Sequence, residues 1–152
     1  MEKIEKIIFA GKRAICREPM AAAILQREHL NFPVEILARG IVVLFPEPLN
    51  PKAEAVLTSN GYPQPSHIAM QLEQEDINND VLILTMEDKQ KSQIWETYEN
   101  APHVYTVKEY VGESGDIPSL HGQPLTVYSQ CYTELELLMR KLVTRLNEEE
   151  EL

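Results

Sequence analysis

Cysteine is scarce in this chain, with Cys16 and Cys131 the only two in 152 residues. Two thiols so far apart make neither a disulfide framework nor a zinc-ligand pattern. The histidines add no partner at metal spacing, so neither a metal nor a cofactor is expected. Long apolar runs are also missing. None approaches the roughly 18 residues needed to cross a bilayer, so no membrane association is expected. The opening segment MEKIEKIIFAGKR is charged and then briefly apolar. It lacks the apolar core and cleavage site of a secretory signal, which makes the cytoplasm the expected location. Positive charge is in deficit, with 14 Lys and Arg against 24 Asp and Glu and a net charge of −10. Nucleic acid is therefore not an expected partner, because its phosphate backbone rewards basic patches. The Gly11-Lys12 pair lacks the remaining glycine and hydroxyl positions of a nucleotide-binding P-loop.

What remains is an ordinary globular composition, 43% hydrophobic and 25% charged. The length suits one domain over residues 1–152 with one sizeable core. Its acidic tail, NEEEEL at 147–152, reads as a frayed and solvated helix end. KIIFA (6–10), VEILA (34–38), DVLILTM (80–86) and HVYTV (103–107) read as strands. Short apolar runs of this kind suit a sheet covered on both sides. Between them lie helical segments. REPMAAAILQREHL follows the first strand. PKAEAVLTSNG (51–61) has Pro51 at its start and Gly61 at its end. EDKQKSQIWETYEN (87–100) carries an apolar side of Ile94, Trp95 and Tyr98. RGIVVLFPEPLN (39–50) reads mostly as loop, YPQPS (62–66) as a turn, EQEDI as one helical turn, and 111–124 as a loop rich in glycine and proline.

The last helix is marked by Leu125, Tyr128, Tyr132, Leu135, Met139, Leu142 and Leu146, spaced three and four apart. A coiled coil shares this spacing, but the expectation is a helix laid on the sheet, with Cys131 as packing. Strands alternating with helices give an α/β fold: a three-layer sandwich, a four-stranded parallel sheet with helices on both faces. Ligands of such sheets sit beyond the strands' carboxyl ends at a switch point. The loops after the first and fourth strands, GKRAICRE and GESGDIPSLHG, can both reach that place.

The first of these loops carries Arg17, Pro19, Met20 and Ala21 behind a buried strand, together with Cys16. SHIAMQL (66–72), DVLILTMEDKQ and KEYVGESGDIPSLHG follow in order. In these segments the chain resembles the low-molecular-weight protein tyrosine phosphatase family, which includes bacterial arginine phosphatases. That family opens with a strand and C-x5-R-S-P-M-A, and the likeness runs over nearly the whole chain. The resemblance implies an anion-binding loop formed by Lys12, Arg13, Ala14, Ile15, Cys16 and Arg17. Phosphate, sulfate or a phosphorylated residue would be its ligand.

The departures from the family pattern fall on the chemistry. Counting six back from Arg17 puts Gly11 at the family's nucleophilic cysteine. Counting through DIP puts Ser119 at its general-acid aspartate, Leu120 at the following proline and His121 at the aromatic that lines the slot. Arg13 and Ala14 stand at the loop's glycine and asparagine, and Glu18 at the serine after the arginine. A slipped register fails, because position 22, six after Cys16, is alanine.

The expected function is therefore a catalytically degenerate phosphatase-like protein, an anion- or phosphoresidue-binding or regulatory module. Two alternatives stand beside it. One is a weak tyrosine or arginine phosphatase, a phosphoric monoester hydrolase using Cys16 or water. The other is a protein-interaction domain without a small ligand. Cys16 at a helix N-terminus among basic residues could have a lowered pKa and be oxidisable or a displaced nucleophile, but the expectation is a small packing residue. Ala14 is expected to leave the loop unpinned, and Glu18 to favour the helix dipole while repelling phosphate. Lys12, Arg13 and Arg17 could instead pair with local carboxylates such as Glu18. His67 and His121 read as lone histidines. The oligomeric state is left open.

Overall fold

The computed structural model describes residues 3–63 and 67–151. Part of the expected YPQPS turn and the last residue of the acidic tail lie outside them. Among the described residues, nine regular elements run in the order β1 (Lys6–Gly11), α1 (Arg17–Arg27), β2 (Glu35–Gly40), α2 (Pro51–Ser59), β3 (Val81–Thr85), α3 (Asp88–Thr97), β4 (Val104–Thr106), α4 (Val107–Tyr110) and α5 (Leu125–Glu151). A 3-10 turn, Gln74–Asp76, stands where EQEDI suggested one.

The four strands form one parallel sheet in the order β2-β1-β3-β4. The chain steps from β1 outward to β2, then returns to the other side of β1 for β3. The carboxyl end of β1 is therefore the switch point at which such sheets place ligands. There Gly11 stands opposite Gly40.

Side chains alternate between the two faces of a strand, and β1 divides its residues accordingly. Ile7 and Phe9 join Leu82 and Leu84 of β3 in a core covered by α1, α2, α4 and α5. Ile8 and Ala10 join Ile83 and Val104 in a second core beneath Ile94 of α3. The α5 stripe enters the first core through Tyr128, Tyr132, Leu135, Met139, Leu142 and Leu146, all buried. Burying one large apolar side chain stabilises by roughly 1.5–3 kcal/mol, so this face, rather than helix propensity, fixes α5.

The structure differs from expectation at several places. β2 runs through Arg39 and Gly40, because their backbones pair with Ala10 and Gly11. Trp95 and Leu125 are half-exposed: Trp95 directs its indole Nε1–H to the Ala101 carbonyl at 3.2 Å, and Leu125 is only the first residue of α5. The acidic tail is helical through Glu151. Glu149 accepts from the Tyr110 hydroxyl at 2.9 Å, and Glu150 lies 3.7 Å from Lys3. These contacts hold the tail against the mutual repulsion of its carboxylates, which would otherwise fray it.

Candidate functional site

Residues 12–16 join β1 to α1 at the switch point, and the loop is held by its backbone. Ile41 N–H donates to the Gly11 carbonyl at 2.8 Å, Val42 N–H to Lys12 at 2.9 Å and Asn50 N–H to Ile15 at 2.9 Å. His67 Nε2 lies 2.6 Å from the Ala14 carbonyl. A carbonyl only accepts, so the imidazole donates there. Burial depresses the His67 pKa, with Arg39 adding to the effect against the hydrogen bond to Ala14. The ring is thus neutral. Ala14 is buried in the left-handed region at φ 57°, where a Cβ costs roughly 1–2 kcal/mol. Gly40 admits no side chain, because a Cβ would meet Val43 at 2.4 Å and the Arg13 backbone at 3.1 Å. The expectation of an unpinned loop is corrected: side-chain pinning at position 14 is replaced by clamping from the segments at 40–42, 50 and 67.

Arg17, the first residue of α1, is buried. Its Nη2 donates to Glu87 Oε2 at 2.7 Å, and its Nη1 donates to the Ile117 carbonyl. The loop after β4 therefore does reach the loop after β1. Ile117 is itself fixed by donating its N–H to Met86 O at 2.9 Å. Burial raises the Glu87 pKa, but its bonds to Arg17 and Lys89 outweigh this and hold it lowered. The charged partner of Arg17 is thus Glu87.

Glu18 follows, and its carboxyl is turned inward beneath the loop. A Cβ built on Gly11 would fall 2.3 Å from Glu18 Cδ and Oε2, and 2.7 Å from Oε1. The space a side chain at position 11 would take is therefore filled by the Glu18 carboxyl. Oε2 lies 3.9 Å from Arg17 Nε, beyond hydrogen-bond reach, and has no hydrogen-bond partner. Desolvation drives the Glu18 pKa up, Arg17 and its own backbone N–H oppose this, and Glu87 adds to the rise. With the guanidinium committed to Glu87, burial prevails at Glu18, whose pKa is raised while that of Glu87 is lowered.

The other predicted residues separate. Arg13 turns away to a two-pronged pair with Glu47 at 2.8 and 3.2 Å, so its local carboxylate is Glu47 and not Glu18. Lys12 is exposed. Cys16 is half-buried, with Sγ 3.7 Å from the Tyr128 hydroxyl. The alternative of a lowered pKa is not met: burial pushes the thiol up, Glu18 adds to this against Tyr128, Arg17 and Arg13, and Cys16 packs against the core as expected. Cys131 is buried in the core, its thiol pushed up to about 12 by desolvation. Ser119 and His121 are exposed and contact each other, His121 N–H donating to Ser119 Oγ at 3.3 Å. Among the described residues, no group of three or more metal-ligating side chains occurs.

Sequence reasoning missed three participants: Glu87, His67 as a loop clamp, and the Ile117 carbonyl. Glu87 had a signal, since it follows the most apolar strand at the ligand-bearing edge of the sheet.

A four-stranded parallel sheet with helices on both faces, and Arg17 at the helix start beyond its switch point, defines the class as an α/β fold. The low molecular weight phosphotyrosine protein phosphatase profile matches residues 6–152, and the chain belongs to that family. It is 32% identical over 139 residues to the low molecular weight protein-tyrosine-phosphatase PtpB of Staphylococcus haemolyticus, covering 91% of this chain and 98% of that one. It is also 32% identical over 147 residues to the protein-arginine-phosphatase of Geobacillus stearothermophilus, with 95% and 98% covered. The solved YwlE arginine phosphatase from Geobacillus stearothermophilus superposes with a TM-score of 0.88 at 32% identity, covering 96% and 95% of the two chains. Among the described residues, no helix is long and apolar enough to cross a membrane.

Proposed function

We propose that this chain is a catalytically degenerate phosphatase-like protein that serves as a binding or regulatory module, with its anion loop closed by its own Glu18. The observation that carries this reading is the Glu18 carboxyl lying 2.3 Å from a Cβ built on Gly11. A family member needs a thiolate there to attack phosphorus, and glycine supplies none. Loss of a general acid, where Ser119 stands, costs about 10²- to 10⁴-fold by itself. Cys16 is a poor substitute, since the thiolate is the nucleophile and burial disfavours it. Phosphate or a phosphorylated residue reaches the loop only by displacing Glu18. Oxyanion binding is therefore weak in the native chain and stronger once that carboxyl is removed.

The test is hydrolysis of p-nitrophenyl phosphate by the native chain beside Cys16→Ser. The expected result is background turnover in both. Turnover that disappears with Cys16→Ser would overturn the reading in favour of a weak phosphatase.

A further inference from the structure

The edge strand β2 borders a cleft of about 510 Å³ whose lining includes none of residues 11–17. Ligand pockets commonly span about 300–1,000 Å³. Pro19 and Ala22 of α1, with Leu49 and Leu57, give this cleft an apolar floor, and all four are buried. Arg27 and Tyr62 line it as a stacked pair, the guanidinium 4.1 Å from the ring centroid.

The edge of β2 that meets the cleft is half capped. Glu35 and Ile41 donate their N–H groups to the Glu5 and Gly11 carbonyls, on the β1 side. Gly40 N–H donates the opposite way, to the Met70 carbonyl at 2.9 Å. Ile36 and Ala38 share the direction of Gly40, because backbone groups alternate from side to side along a strand. Their carbonyls are taken: Gln26 Nε2 donates to Ile36 at 3.1 Å, and Arg39 Nη1 to Ala38 at 2.8 Å. Gln26 and Arg39 both line the cleft, so this is the edge it adjoins. The acceptors there are covered, and the donors, Ile36 and Ala38 N–H, face the cleft. A peptide strand brings donors and acceptors in equal number and would find no acceptor open. An anion needs only the donors.

The charge of the lining selects the same kind of ligand. The chain carries a net −10, yet no Asp or Glu lines the cleft. Glu18, Glu28, Glu35, Glu47 and Glu54 come nearest to the lining residues in sequence, and none of them lines it. Among the described residues Arg39 pairs with no carboxylate, and its guanidinium bonds a backbone carbonyl instead. His67 also lines the cleft, but its Nε2 is committed to Ala14 and its pKa is depressed. With Arg27 laid on Tyr62, one guanidinium beside amide donors remains, which matches a single carboxylate.

We propose that this cleft binds a small carboxylate with an apolar body, the anionic end on Arg39 and the Ala38 N–H and the body on the floor of Pro19, Ala22, Leu49 and Leu57. The site is separate from the anion loop and stands whether or not Glu18 keeps that loop closed.

The experiment titrates the 15N-labelled full chain with 2-naphthoate and follows its amides. The neutral 2-naphthylmethanol, inorganic phosphate and an extended hexapeptide alternating Val and Thr run in parallel. Naphthoate is expected to shift amides at 22–27, 36–39 and 67. The neutral alcohol is expected to bind about tenfold more weakly or worse, the scale of one charge-assisted hydrogen bond. Arg39→Gln and Ala23→Trp, the second of which fills the cleft, should weaken naphthoate by a similar factor. Arg39→Gln alters a half-buried side chain on an edge strand, so it decides the matter even where Ala23→Trp fails to fold. Absence of shifts, equal binding of the alcohol, full affinity in Arg39→Gln, shifts centred on 11–17, displacement by phosphate at tens of millimolar, or tighter binding of the hexapeptide would each overturn the proposal.

Discussion

Glu18 joins two facts at the scale of one side chain: its carboxyl is buried with an unpartnered oxygen, and it fills the room that Gly11 leaves. Burial raises its pKa above the usual 4.5. In the unfolded chain the group ionises at its ordinary pKa, while the folded chain keeps the proton to higher pH. The folded state therefore binds more protons above that point, and stability falls as pH rises from about 4.5 toward the folded pKa. Glu18→Gln should flatten this slope and raise the melting temperature at neutral pH, read by thermal unfolding across a pH series. An unchanged pH profile would show that the carboxyl is not held neutral. Gly11 supplies a second prediction. Gly11→Cys should cost stability in the native background and less in Glu18→Ser, with a coupling of about 0.5–3 kcal/mol in a double-mutant cycle. Additive costs would mean the two positions do not share the space.

At the scale of elements, the loop 12–16 is held by segments distant in sequence, and this explains what the sequence left hidden. The strands, the helices and Arg17 were legible because periodicity and a local motif carry them. The direction of the Glu18 side chain was not, since a glutamate at a helix start ordinarily serves the helix dipole in solvent. Nor was the His67 clamp, 53 residues from Ala14, because a single histidine announces no partner. His67→Ala should speed amide exchange in residues 12–16 without unfolding the sheet, measured by hydrogen exchange. Unchanged exchange there would mean the other backbone bonds suffice. The acidic tail behaves likewise. Asn147 Oδ1 accepts from Asn31 N–H at 2.8 Å and Glu149 from Tyr110, so deleting 147–152 should lower the melting temperature rather than leave it unchanged as for a frayed end.

For the whole molecule, a ligand that binds only the folded chain raises its stability by mass action, about 2 kcal/mol at roughly twenty times its Kd. That corresponds to about 4–8 °C for a chain of this size. On the proposed reading, in which Glu18 blocks the loop, phosphate at tens of millimolar should barely move the melting temperature of the native protein. It should raise that of Glu18→Ser, whose loop is open. A large phosphate shift in the native chain would mean that Glu18 yields readily. The fold was readable almost entirely, because two apolar cores on opposite faces of one sheet write themselves into four short runs and one long stripe. The state of the loop was not, because it depends on which of two neighbouring residues supplies atoms to one small volume.

That interlock bears on descent. A thiol restored at position 11 meets the Glu18 carboxyl, while a serine restored at position 18 alone leaves an empty hollow beneath the loop. Each single step back toward a working nucleophile passes through a poorer protein than the one it leaves. On the proposed reading the pair acts as a ratchet: once both residues are in place, a lineage carrying them can drift in its surface and its partners far more easily than it can regain catalysis.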